Sequence, residues 1–124
     1  RTQHRSKRKT SGGIYKDYRK KRKFELSSNA TLTKVGKLKK KEQRISGGNV
    51  KFRLLSADII NMYNSKTKKC EKATIKTVVE NPANQHYVRR NIITKGSIVE
   101  TDKGKVRITS RPGQEGSLCG VMVK

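Results

Sequence analysis

The chain has 124 residues, 32 of them Lys or Arg and 9 Asp or Glu, for a formal net charge of +23. That length allows one domain of ordinary size and no large cleft between domains; a charge so one-sided calls for a polyanionic partner to offset self-repulsion. Two isolated cysteines, Cys70 and Cys119, two histidines, His4 and His86, and the lack of any run near about 18 apolar residues argue against a disulfide framework, a metal site and a transmembrane helix.

Residues 1–48 hold 17 Lys/Arg against 3 acids, a net of +14, with only 10 apolar residues. Within them, residues 1–23 have too little apolar area to offset chain entropy, which predicts an extended or disordered basic arm that orders on binding. A basic membrane-surface helix would need an apolar stripe; Ile14, Tyr15, Tyr18, Phe24 and Leu26 are spread too thinly to form one. Residues 24–36 read as a polar connector with one short strand, and residues 37–46 return to a basic run. Gly47-Gly48-Asn49 permits a tight reversal and marks the expected edge between a basic 1–48 arm and connector and a 49–124 barrel domain.

Period-two alternation starts at once: Val50, Phe52 and Leu54 point one way, Lys51 and Arg53 the other, which predicts a half-buried strand with a basic outer face. Ala57–Tyr63 is a second apolar run. The polar turn Asn64–Lys69 leads into Lys72–Glu80, where Ala73, Ile75 and Thr77 alternate with Thr74, Lys76 and Val78. Asn81-Pro82-Ala83-Asn84 is a turn. Tyr87–Ile93, Ser97–Thr101, Lys105–Ser110 and Ser117–Val123 follow as short strands, with a hairpin turn at Asp102-Lys103-Gly104. The expected fold class is all-β: a small antiparallel β-barrel of about six strands with an extended basic N-terminal arm, its core built from Ile, Val and Leu.

The chemistry resides in the cations. Arg5, Lys7, Arg8 and Lys9 form one cluster and Arg19, Lys20, Lys21, Arg22 and Lys23 another, each within about 15 Å of extended chain. Cations that neutralise phosphates release counterions, so binding should depend steeply on salt. Gly12 and Gly13 let backbone amides approach phosphate, and Tyr18, with Tyr15 and Phe24, can stack on unpaired bases. Lys39, Lys40, Lys41 and Arg44 extend the basic surface to the reversal at Gly47, Gly48 and Asn49. Lys51, Arg53, Arg89, Arg90 and Arg111 continue it over the barrel, with Lys105 and Arg107 as further exposed cations. Catalysis finds no support: no carboxylate pair sits beside a histidine, no nucleophile elbow is present, and the glycine pairs lack a phosphate-loop frame.

Several stretches carry a resemblance. Thr10-Ser11-Gly12-Gly13, the run from Tyr18 to Leu26, Gly47-Gly48-Asn49-Val50-Lys51-Phe52-Arg53-Leu54, Val78-Val79-Glu80-Asn81-Pro82-Ala83-Asn84, the run from Tyr87 to Gly96 and the run from Thr109 to Gly116 occur in order along the chain. Together they resemble the "eight-e" family of small-subunit ribosomal proteins, shared by archaea and eukaryotes, and the short Asn64–Lys72 turn is similar to its archaeal branch. Thr10-Ser11, Ser28-Asn29 and Ser46 depart from the family pattern. The resemblance implies an antiparallel barrel with an rRNA-penetrating arm in a cytoplasmic particle, with small-subunit rRNA and neighbouring ribosomal proteins as partners. It implies no cofactor, metal, small-molecule substrate, membrane or homo-oligomer. A free RNA-binding or RNA-chaperone module and a DNA-compacting protein are the competing readings.

Overall fold

The computed structural model describes residues 5–65 and 67–123; His4, and position 66 of the expected Asn64–Lys69 turn, lie outside them. The chain forms two compact units, Arg1–Ala30 and Thr31–Lys124. The second begins inside the 24–36 segment read as a connector, because that segment supplies the strand β1 and the basic run after it supplies β2. Its strands are β1 (Thr33–Val35), β2 (Lys39–Arg44), β3 (Val50–Ala57), β4 (Ile59–Asn64), β5 (Lys69–Glu80), β6 (Ile92–Ile93), β7 (Ile98–Thr101), β8 (Gly104–Ile108) and β9 (Cys119–Met122), with one helical turn, α1 (His86–Arg89).

Five of these strands, β4-β5-β7-β8-β9, close into a barrel, and the other four form a sheet in the order β2-β3-β1-β6. The protein is therefore all-β with a small barrel. The closed ring has five strands, close to the expected number of about six, and one of its pairings is parallel: β4 and β9 run side by side along the closing seam, with Met62 opposite Gly120. At that seam the strands come close. A Cβ on Gly120 would stand 2.6 Å from Val106 Cγ1 and 2.8 Å from the Arg107 carbonyl oxygen.

One core serves both sheets. Ile60, Met62, Ala73, Ile75, Val78, Val99, Val106 and Ile108 from the barrel pack with Leu54, Ala57 and Ile93 from the sheet. The β5 alternation expected from sequence breaks partway. Ala73 and Ile75 are buried as predicted, but Val78 joins them in place of Thr77. The register explains it: Ile75 pairs with Thr101, Thr77 with Glu100 and Val78 with Val99, so β5 carries one extra residue against β7 between Ile75 and Thr77, and a second register shift follows between Val78 and Glu80. The first bulge flips the side chains after it to the other face as far as the second shift.

The expected Tyr87–Ile93 strand is also revised. The Asn84 side-chain oxygen accepts the His86 amide proton at 2.9 Å and the Asn84 carbonyl accepts that of Tyr87 at 3.1 Å, which starts a helical turn. Asn91, at φ 49°, ends it and leaves only Ile92–Ile93 as strand.

Candidate nucleic-acid interface

The first unit has no buried residue among those described, and only Glu25 is even partly covered. Its order is local. The Lys9 amide donates to the Gly13 carbonyl at 2.7 Å, the Gly12 amide to Lys9 at 3.0 Å and the Tyr15 amide to Lys7 at 3.0 Å, closing a small loop in which Arg8 bridges Ile14. Gly12 adopts φ +84°, and the Arg8 guanidinium donates to its carbonyl at 2.9 Å. The Tyr15 ring lies within reach of two cations, Arg5 at 4.3 Å and Lys9 at 5.5 Å, so it gathers charge. Arg5 also pairs with Asp17 at 3.1 Å.

The second basic cluster is organised around Glu25. Arg19 donates two hydrogen bonds to its carboxylate, at 2.7 and 2.8 Å, and the Arg22 amide donates a third at 2.8 Å. Lys23–Glu25 forms a 3₁₀ turn beneath them. The Arg19 hydrogen bonds first, then that of the Arg22 amide, hold the Glu25 carboxyl down at about 2. The same pair raises the guanidinium pKa of Arg19. Tyr18 is 90% exposed, its hydroxyl accepting from Arg19 Nε at 2.7 Å, and Phe24 is exposed as well. Lys20, Lys21 and Arg22 are exposed, as is Lys7 in the first cluster.

In the second unit, Lys39, Lys40, Lys41 and Arg44 lie along β2, which is an edge strand. Lysines there also discourage edge-to-edge pairing with other chains. Gly47 (φ +72°) and Gly48 (φ +74°) turn the chain from β2 into β3 as a hairpin, Arg44 facing Val50. The Asn49 side-chain amide donates to the Ser46 carbonyl at 3.3 Å and the Ile45 amide donates to Asn49 at 2.8 Å, fixing that loop.

The structure brings β3 to the Arg111–Gly116 loop through Lys51 and Leu54, and brings Arg53 to Thr31. Lys51 donates to the Gln114 side-chain oxygen at 3.4 Å, Arg53 to the Thr31 hydroxyl at 3.5 Å, and the Leu54 amide to the Pro112 carbonyl at 2.9 Å. Arg111 is exposed at the start of that loop. Arg89 and Arg90 are exposed at α1, which packs beside β5 and β6. Because β6 and β2 are opposite edges of the sheet, these two arginines do not join the β2 cations.

One sequence expectation is reversed here. Lys51 and Arg53, read as the outer face of β3, are half-buried, with Arg53 Nε shielded from solvent. Phe52 and Val50, read as core, are 46% and 42% exposed. Only the far end of β3 reaches the core, through Leu54 and Ala57. Alternation alone cannot say which face of a strand meets a second layer.

This is a small all-β barrel fused to a flanking sheet and preceded by an exposed basic segment. The model of the ribosomal protein S8e family matches residues 2–123, and the chain belongs to that family. It is 48% identical over 122 residues to the small ribosomal subunit protein eS8 of Methanococcoides burtonii, covering 98% of each chain. The eS8 of Nanoarchaeum equitans is 47% identical over 122 residues, 98% of this chain and 96% of that one. That of Methanosarcina barkeri is 44% identical over 119 residues, 96% of this chain and 95% of its own. The similarity to archaeal members thus runs nearly end to end.

Proposed function

We propose that the protein is a structural, non-catalytic constituent of the small ribosomal subunit in the cytoplasm, where it binds and stabilises folded rRNA. The observation that carries this reading is the near full-length similarity to relatives named as small-subunit protein eS8. The charge supports the mechanism. The Arg1–Ala30 unit holds 11 Lys/Arg against 2 acids, a net of +9, and the Thr31–Lys124 unit holds 21 against 7, a net of +14. Both units neutralise phosphate; the exposed residues of the Arg1–Ala30 unit enter crevices between RNA helices, while the Thr31–Lys124 unit, sheet and barrel together, recognises shape. Positioning by backbone contacts without base readout suits such a role. Neighbouring ribosomal proteins complete the surroundings, with no membrane, homo-oligomer or small-molecule substrate involved.

Gradient sedimentation of a tagged chain in cell extract tests this. The tag should co-migrate with small subunits after a high-salt wash. A chain that stays at the top of the gradient at every salt concentration, or that binds duplex DNA as tightly as rRNA, contradicts it.

A further inference from the structure

Phe52 sits where the core does not need it. On β3, Val50, Phe52 and Leu54 share one face, and only Leu54 is sealed in the core. Their partners on β2 are Arg44, Glu42 and Lys40 in turn. Directly opposite residues of an antiparallel pair share a face, so two cations flank the apolar strip and one acid lies level with the ring. The Arg111–Gly116 loop bounds the strip on its other side. A Cβ on Gly116 would lie 3.1 Å from Phe52 Cβ, 3.6 Å from its Cγ and 3.8 Å from Lys40 Nζ, so ring, ammonium and loop meet at one spot.

An exposed ring between two cations suits few occupants. Another basic segment would be repelled, and a purely apolar protein face would have to strip water from Lys40 and Arg44. A nucleotide suits both: its base gives the ring a flat face, and its phosphates meet the cations. We propose that Phe52 is a stacking platform for one unpaired nucleobase of the rRNA, with Lys40 and Arg44 taking the flanking phosphates. Glu42 keeps phosphate away from the ring and accepts a hydrogen bond from an exocyclic amino group, as acids do from cytosine. The site rests on the rRNA-binding reading and adds a base contact to it.

The chain has no Trp, so Phe52→Trp installs a single indole reporter. We expect a single-stranded RNA oligonucleotide to quench it by roughly half, and a fully paired duplex of the same sequence to leave it nearly unchanged, since base stacking needs an unpaired base. Phe52→Leu in the full chain, with an unchanged melting temperature, should weaken rRNA binding about tenfold without altering its salt slope. Lys40→Gln should instead flatten that slope by roughly one phosphate contact. An unquenched indole in a chain that still binds rRNA overturns the stacking site and leaves the rRNA reading standing. Equal quenching by duplex and single strand also overturns it. Failure of the unaltered chain to bind rRNA at any salt overturns both.

Discussion

Thr33 donates its hydroxyl proton to the carbonyl oxygen of Leu54 across 2.7 Å, and both residues are completely buried. The bond ties β1, a three-residue strand from the segment read as a connector, to β3, its inner neighbour in the flanking sheet. Backbone pairing repeats the tie, Lys34 facing Ser56 on one side and Ile92 on the other. Thr33→Val keeps the shape and removes the bond, which should cost about 1–3 kcal/mol. A melting temperature within error of wild type would show that the bond is dispensable.

The same relationship separates two truncations. Removing residues 1–30 takes no strand, so the melt should hardly move. Removing residues 1–48 takes β1 and β2 and uncovers β3 and Ile92–Ile93, so the remaining chain should melt far lower or aggregate. Circular dichroism melts of both truncated chains check this. Equal melts would mean that the flanking sheet contributes nothing to stability.

Two glycines make opposite kinds of demand. Gly120→Ala puts a methyl group into Val106 and the Arg107 backbone, which cannot withdraw without opening the barrel seam, so a loss of about 1–3 kcal/mol is expected. Gly48 has open space around it, but its φ of +74° is one that β-branched residues rarely adopt. Gly48→Val should therefore lower stability by about 1–2 kcal/mol through backbone strain alone. Ser46→Ala should cost little, since Ser46 serves the loop through its carbonyl. Chemical denaturation curves distinguish the three; wild-type stability of Gly48→Val would remove strain as the reason for that glycine.

How far the sequence revealed this depends on the range of the interaction involved. The strands of the barrel follow from local alternation and turns, as at Val99 and Val106, which pair across the Asp102-Lys103 turn. One short strand was expected in residues 24–36, but its place in the sheet and the strand β2 were not legible, because a three-residue Thr-Lys-Val strand and a basic run acquire their structure from partners far along the chain. The bulge after Ile75 exists only against β7. For the site, the cations were evident from composition, but two details were not. Phe52 lies against the Gly116 loop, half exposed, while the core takes Leu54 and Ala57 from the same strand, and Tyr15 is engaged by Arg5 and Lys9, contacts that no spacing rule foretells.

Glu25 gives the basic segment a measurable marker. Its carboxyl is lowered from 4.5 to about 2 by the Arg19 and Arg22 hydrogen bonds. A lowered folded value means the turn is fully supported above pH 4.5 and loses that support as pH falls through about 2. Carboxyl NMR of the free protein should find Glu25 titrating near the lower value, with Arg19→Gln moving it back toward 4.5. A wild-type midpoint near 4.5 would show that the Arg19–Glu25 pair does not persist in solution.

The claim that the protein holds rRNA by neutralising phosphate is tested most directly by measuring affinity for small-subunit rRNA across a salt series. The full chain should be compared with one lacking residues 1–23, which carry 11 Lys/Arg and one Asp. Each lost phosphate contact reduces the slope of log affinity against log salt by roughly 0.7–0.9. With about half of those cations engaged, the slope should fall by about 4, while the barrel melts as before. An identical slope for the two chains would contradict the account.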